Sequence, residues 1–319
     1  SEQLLAELNL CDEVGNGTLR ITTRQGLQLH GISKTNLKRV IRRINEVGLT
    51  TLAACGDVRR NVMCTPAPFK LDPVHARLQG LADELALRLR PLTAAYREFW
   101  LTISESGEKE KVASIDPPAD TNRNGGDSVV PLYGPTYLPR KFKLAVGLPG
   151  DNSVDLFAND CGFLAICENF DVVGYNVLVG GGFGVTPNAT KTFPAVAQPM
   201  CFVTPDQAIG VAAAVIELYR DHGDRCDRER ARLKYILHDW GMAKFKATVE
   251  EYFGAPLPKP RPVVVFGHDD GLGWREVGDG RWFYGLNVEN GRIKDEGEYR
   301  LKSALREICR TLAPPLRLT

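Results

Sequence analysis

Apolar positions recur along the chain with two periods. After Pro139, Phe142, Leu144 and Val146 alternate with Lys141, Lys143 and Ala145, which predicts a strand with one apolar face and both lysines on the same side. Leu19 to Thr23 alternates likewise and places Arg20, Thr22 and Arg24 on one face. Apolar runs predict further strands over Asp155 to Cys167, Val172 to Val179, Trp282 to Val288 and Gly291 to Ile293. Helical spacing marks Ser1 to Leu10 with Ser1 as cap, Lys34 to Val47, Asp72 to Arg90, Asp227 to Trp240 and Leu301 to Cys309. Pro91 breaks the third of these, and the pattern predicts that helix resumes through Tyr96 to Trp100. Thr204-Pro205-Asp206-Gln207 is a capping box with Pro at the first helical position, so a helix should run to about His222 and stop at Gly223. Ser104 to Tyr133, polar and rich in Gly, Asn, Asp and Pro, reads as a long mobile loop.

Leu316-Arg317-Leu318-Thr319 repeats Leu19-Arg20-Ile21-Thr22, and each follows a helix at similar spacing. This predicts two copies of one half-domain related by a pseudo-two-fold, the first missing its beginning and the second its end. At 319 residues, 43% apolar and 25% charged, the chain can bury a substantial core. A net charge of +1 gives no reason to expect non-specific nucleic-acid binding, no specific nucleic-acid partner is expected either, and basic clusters must be argued locally. The absence of a long apolar run or a signal-peptide pattern predicts a cytoplasmic protein, or a trimmed plastid-stroma form, with no membrane partner. The eight cysteines lack paired metal spacing and read as reduced core residues. Cys161 and Cys167 have a spacing seen in cluster ligation, but they sit in an apolar strand run where cysteine serves as a small hydrophobe.

Charge then singles out candidates. Two lysines side by side on a strand repel unless an anion or carboxylates sit opposite, and Arg140 adds a third cation; a solvated edge strand is the alternative. Arg59 and Arg60 follow small residues and a Gly-Asp turn signal, a setting from which guanidinium can fork onto an anion. Gly180 to Gly184 lacks both the dinucleotide and the phosphate-loop spacing and says only that a ligand or backbone comes close. A lone His such as His30 is more often structural than a ligand.

Gly56-Asp57-Val58-Arg59-Arg60-Asn61-Val62-Met63-Cys64, the Thr22-Thr23-Arg24-Gln25 and His30-Gly31 elements, and Tyr137 to Lys143 followed by Asp151-Asn152-Ser153-Val154-Asp155-Leu156 resemble the assimilatory sulfite reductase haemoproteins, the ferredoxin-dependent branch most nearly. The resemblance runs from about Thr18 to the C-terminus. It implies an α+β fold with a central sirohaem-binding domain over 61–262, flanked by incomplete ferredoxin-like half-domains over 1–60 and 263–319. It also implies that the C-terminal cluster domain is absent. The implied reaction is six-electron reduction of sulfite to sulfide at sirohaem, coupled to a 4Fe-4S cluster whose ligands lie outside this chain. The donor would be ferredoxin or a flavoprotein reductase, and this chain alone should not turn over.

By the same resemblance, Arg60, Lys141 and Lys143 match substrate-contacting positions, and Arg20, Thr22, Arg24 and Arg140 match positions that meet cofactor carboxylates. His30, Gly181, Gly182, Arg232 and Lys234 complete the expected cofactor set. The chemistry needs such residues: the carboxylates of sirohaem require cations on burial, and sulfite must be held while its oxygens are protonated and lost. Lysine is the better proton donor, because neighbouring cations and burial lower its pKa while guanidinium stays charged. A sirohaem nitrite reductase and a non-catalytic tetrapyrrole-binding fragment are the alternatives.

Overall fold

The computed structural model describes residues 1–68, 72–91, 98–102, 106–114, 132–267 and 270–319. In chain order its first elements are α1 (Glu2–Glu13), β1 (Leu19–Thr22), β2 (Gly26–Leu29), α2 (Leu37–Glu46), β3 (Arg59–Met63), α3 (Pro73–Arg88), β4 (Glu98–Thr102) and β5 (Lys109–Ser114). Then come β6 (Phe142–Gly147), β7 (Cys161–Glu168), β8 (Asp171–Val179), β9 (Gln198–Val203), α4 (Ala208–His222), α5 (Leu233–Phe253), β10 (Gly273–Gly278) and β11 (Arg281–Gly285). The last are β12 (Arg292–Ile293), β13 (Asp295–Glu296), β14 (Tyr299–Arg300) and α6 (Leu301–Thr311). Helices and sheets are both present, as an α+β class requires.

One compact unit comprises Ser1–Leu52, Leu92–Gly126 and Leu286–Thr319. Its sheet has the order β12-β1-β2, antiparallel throughout, with Leu19 opposite both Ile293 and Leu29. Leu4, Leu8, Cys11, Leu19, Ile293 and Cys309 form one buried cluster, so the two ends of the chain share a core as the repeat predicts. Leu316 to Thr319 forms no strand, however, and the second copy of the tetrapeptide is not a sheet element here. Ser1 precedes α1 but does not cap it; its Oγ donates to the Pro314 carbonyl at 2.6 Å.

The other unit, Ala53–Pro91 with Asp127–Gly285, holds a five-stranded sheet of order β3-β6-β7-β8-β9. β3, β6 and β7 are parallel, and β8 and β9 return antiparallel. β6 is thus an interior strand, and Ala145 is as fully buried as Leu144 and Val146. Both faces are covered, which corrects the one-faced and edge-strand readings; the alternation survives only where Lys141 and Lys143 flank Phe142.

The unit division differs from the expected boundaries in three places: residues 53–60 and the β10–β11 hairpin group with the second unit, and residues 92–126 with the first. Of the stretch expected to resume as helix, Glu98 to Trp100 lies in β4, paired with β5, because Phe, Trp, Leu and Thr in a row suit a strand once a partner is found. β5 also interrupts the expected loop from Ser104 to Tyr133, most of which lies outside the described residues. Asp155 lies at positive φ, and residues 156–158 form a helical turn before β7 begins at Cys161. α4 follows its capping box and stops at Gly223 as expected, with the Thr204 N–H donating to Gln207 Oε1 at 3.1 Å. The helix expected from Asp227 starts only at Leu233, since Asp224 and Asp227 carboxylates take the 226, 227 and 229 amides into turns. Its expected end at Trp240 coincides with a break at Gly241, where φ is 73° and a second helical segment begins.

Two outcomes test this packing. Ile293→Ala should lower unfolding free energy by about 2–5 kcal/mol in urea titration, as loss of a fully buried Ile does; an unchanged midpoint would place β12 outside the core. Glu7, buried on α1, has its carboxyl pushed up to about 7 by desolvation. Its contribution is therefore full below the unfolded carboxyl value and is lost as pH rises through about 7, so Glu7→Gln should leave the urea midpoint unchanged at about pH 4 and raise it at about pH 8.

Candidate functional site

The parallel pair β3–β6 decides which arginine is available. Arg59 lies opposite Phe142 in the ladder, and both are buried. The Arg59 guanidinium donates to the carbonyls of Ala86 (2.7 Å), Arg60 (2.9 Å) and Leu89 (3.4 Å), at the carbonyl-rich end of α3, where a cation is favoured. Tyr133 Oη donates to the same Leu89 carbonyl at 2.6 Å, and Phe142 stacks against Tyr219 of α4 with ring centroids 5.8 Å apart. That face is full. By strand alternation, Arg60 and the lysines flanking Phe142 belong to the opposite side, with a bulge in β3 between Arg59 and Val62. The loop before β3 wraps Arg60: Nε donates to the Gly56 carbonyl (3.1 Å) and Nη1 to that of Ala54 (2.5 Å). Ala53 at φ 56° and Gly56 at φ 134° give this loop its shape.

Around this point cations outnumber carboxylates. Burial first, then the fields of Arg232, Arg140 and Arg60, hold the half-buried Lys141 ammonium below its ordinary value, and Asp160 partly opposes them. Asp160 is fully buried and engaged on every side. Arg232 donates to its Oδ1 from Nε (3.0 Å) and Nη2 (2.8 Å) and to its Oδ2 from Nη2 (2.9 Å), and the Lys143 backbone N–H donates to Oδ2 at 2.8 Å. Asp57 accepts from Arg228 at 3.1 and 3.3 Å, with Arg140 3.9 Å away. Arg60, Arg140, Lys141 and Arg232 thus share one electrostatic neighbourhood whose two carboxylates already carry arginine partners. Lys143 is tied to it through its backbone. A half-buried surplus of positive charge favours binding of a small oxyanion or of cofactor carboxylates, and a lysine with a lowered pKa is a proton donor.

The glycine-rich turn is explained by backbone packing. Gly181 donates to the Asn159 carbonyl at 3.0 Å, and a Cβ there would lie 2.2 Å from the Phe157 carbonyl oxygen. At Gly182 a Cβ would meet Arg232 Nη2 at 3.1 Å. The buried Lys234 ammonium donates to the carbonyls of Gly182 (3.1 Å), Gly184 (3.0 Å) and Phe193, so its three protons serve the turn.

Arg20, Thr22, Arg24 and His30 belong to the first compact unit. Arg20 is exposed on β1, opposite Gln28 and Arg292. β1 ends at Thr22, whose Oγ1 accepts the Arg24 N–H at 3.3 Å, so Arg24 sits in the following turn and not on the strand face expected for it. His30 follows β2, and its carbonyl accepts the Asn16 N–H at 3.0 Å. Asp160 and Arg292 lie in no recognisable motif, so the sequence alone does not single them out. All eight cysteines are free; Cys161 is buried, and Cys167 is exposed. Among the described residues no group of three or more His, Cys, Asp or Glu side chains is placed to hold a metal ion.

The family described as "Nitrite and sulphite reductase 4Fe-4S domain" matches residues 85–257, and "Nitrite/Sulfite reductase ferredoxin-like half domain" matches residues 1–47. The chain is 49% identical over 316 residues to a sulfite reductase (ferredoxin) of Synechococcus elongatus, covering 97% of this chain and 50% of that protein. It is 42% identical over 318 residues to a sulfite reductase (NADPH) hemoprotein beta-component of Geobacillus kaustophilus, covering 100% and 53%. The solved structure of the Mycobacterium tuberculosis NirA protein superposes with a TM-score of 0.68 at 27% identity, covering 97% of this chain and 47% of that one. The chain therefore spans about half the length of the curated relatives it matches.

Lys234→Met should cost about 1–3 kcal/mol in urea unfolding, because it leaves buried turn carbonyls without their donor. A variant as stable as the parent would show that the turn does not depend on the ammonium.

Proposed function

Because the chain belongs to the nitrite and sulphite reductase family, we propose that it carries the oxyanion- and sirohaem-binding portion of a sulfite reductase. The observation that carries this reading is the cation surplus at the start of β3 and β6, where Arg60, Arg140 and Lys141 share one field and both nearby carboxylates are taken. A donor set of that kind fits a polyanionic tetrapyrrole and a small oxyanion, since either offsets the cation repulsion that adds to burial in depressing Lys141. The relatives at 49% and 42% identity are both named sulfite reductases, which favours sulfite over nitrite.

When bound, sirohaem supplies the iron that ligates the substrate and, with a 4Fe-4S cluster, the route for electrons. The chain's own residues supply the rest. Arg60, held by the Ala54 and Gly56 carbonyls, binds and orients an oxyanion. Lys141 holds a proton at Nζ for an oxygen that leaves as water, and its lowered pKa eases that transfer. Lys143 offers a second cation beside it, and Arg140 one for cofactor carboxylates. Gly181 and Gly182 keep the turn slim, and Arg232 and Lys234 hold the framework in place. In the first unit, taken by itself, Arg20, Thr22 and Arg24 on β1 and its turn, with His30 after β2, are donors of the kind that carboxylates take. Reduced ferredoxin is the electron donor in this reading, in the cytoplasm or a plastid stroma. No described helix is long and apolar enough to cross a membrane.

Sulfite titration by calorimetry of the protein reconstituted with sirohaem tests the proposal. Arg60→Ala and Lys141→Ala should each weaken binding by about tenfold or more, as loss of a charged hydrogen bond does. Binding should also weaken as pH rises through the lowered Lys141 value, because only the ammonium form attracts the anion. Tighter binding of nitrite than sulfite, or indifference to both substitutions, would overturn it.

A further inference from the structure

Asp160 meets three segments at once. Its carboxylate takes three hydrogen bonds from Arg232, just before α5, and one from the Lys143 amide on β6, while its own carbonyl accepts the Gly180 N–H at 2.9 Å. β6 pairs with β7 only from Leu144, opposite Cys161. On that side the Lys143 amide would be an orphan, and the Asp160 side chain stands where the next backbone acceptor of the ladder would be. The fork from Arg232 fixes the carboxylate's plane, so the carboxylate in turn fixes the start of β6.

We infer that Asp160 is a positioning residue for oxyanion binding: through the Lys143 amide it holds the Lys141–Lys143 stretch in place, and through Arg232 it keeps that stretch from facing an unbalanced buried cation. The inference rests on the anion-site reading above. It goes beyond it by assigning to an acidic side chain, out of reach of any substrate role, the geometry of the basic ones. Among the described residues the charged groups that act most on Lys141 are Arg232 before α5, Arg140 on its own segment, Arg60 on β3 and Asp160 before β7, and of these four Asp160 favours the ammonium form.

Two variants of the full chain separate anchoring from charge and from stability. Asp160→Asn/Arg232→Gln keeps an acceptor for the Lys143 amide and removes both charges together. Asp160→Leu/Arg232→Leu also removes both charges but leaves the amide without a partner, and replacement of a buried pair by apolar residues is often tolerated. Among proteins folded by circular dichroism, the Leu/Leu pair should bind sulfite at least about tenfold more weakly than the Asn/Gln pair. A folded Leu/Leu protein that binds sulfite like the parent would overturn the positioning role, since a purely structural residue predicts that result.

The Lys141 titration is followed independently by NMR of protein carrying 13Cε-lysine, with the resonance assigned through Lys141→Arg. Asp160→Asn alone should move the midpoint to lower pH and Arg232→Gln alone to higher pH. Absence of movement in either overturns the inference even if the leucine pair does not fold. If the parent fails to bind sulfite, the anion-site reading falls, and these opposite titration shifts still decide whether Asp160 controls the lysines.

Discussion

The second unit is organised around a problem of charge. Several cations are brought to one half-buried place at the starts of β3 and β6, and a fully buried carboxylate there is costly unless its lone pairs are filled. Asp160 is such a carboxylate, and its partners link β6, the Gly180 turn and the segment leading into α5. Two residues further on, Lys234 reaches the carbonyls of Gly182 and Gly184, so the acid–base pair and the ammonium clamp the same turn from adjacent positions. The close approach at Gly182, where a Cβ would meet Arg232, follows from this clamp, whereas that at Gly181 comes from the backbone of Phe157 and Asn159.

Adjacent arginines with opposite fates show how local context sets function. Arg59 satisfies the C-terminal carbonyls of α3 and becomes part of the interior. Arg60, one residue later, is turned to the other side and held by loop carbonyls, with no carboxylate in direct contact among the described residues. The helix end thus does more than terminate α3: by absorbing one guanidinium it commits the next to the site. In the first unit a related arrangement recurs, with Arg20 opposite Arg292 across an antiparallel pair, a placement that disfavours stability unless an anion intervenes.

Much of this was legible in the sequence because burial follows period. The alternation at Phe142 to Val146, the apolar runs of β7 and β8, the face of α2 and the Thr204 capping box all depend on residues near one another in the chain. What stayed hidden depends on distant partners. β4 required β5 to pair with it, and β6 became an interior strand only because β3 and β7 flank it. Residues 227–232 read as helix in the sequence because helical spacing does not register Asp side chains that capture backbone amides. Arg24 left the strand face because the chain turns immediately after Thr22. Asp160 was invisible for the same reason: nothing local says that a carboxylate before a strand will meet an arginine far along the chain.

The claim on which the account turns is that Arg60, Lys141 and Lys143 serve one anion. A crystal of the protein soaked in selenite, the anomalously scattering analogue of sulfite, measures this directly. The account predicts a selenium peak within about hydrogen-bond reach of the Arg60 guanidinium and at least one of the two lysine ammonium groups. Selenium bound elsewhere, with Arg60 and the lysines directed to separate regions of solvent, would contradict it.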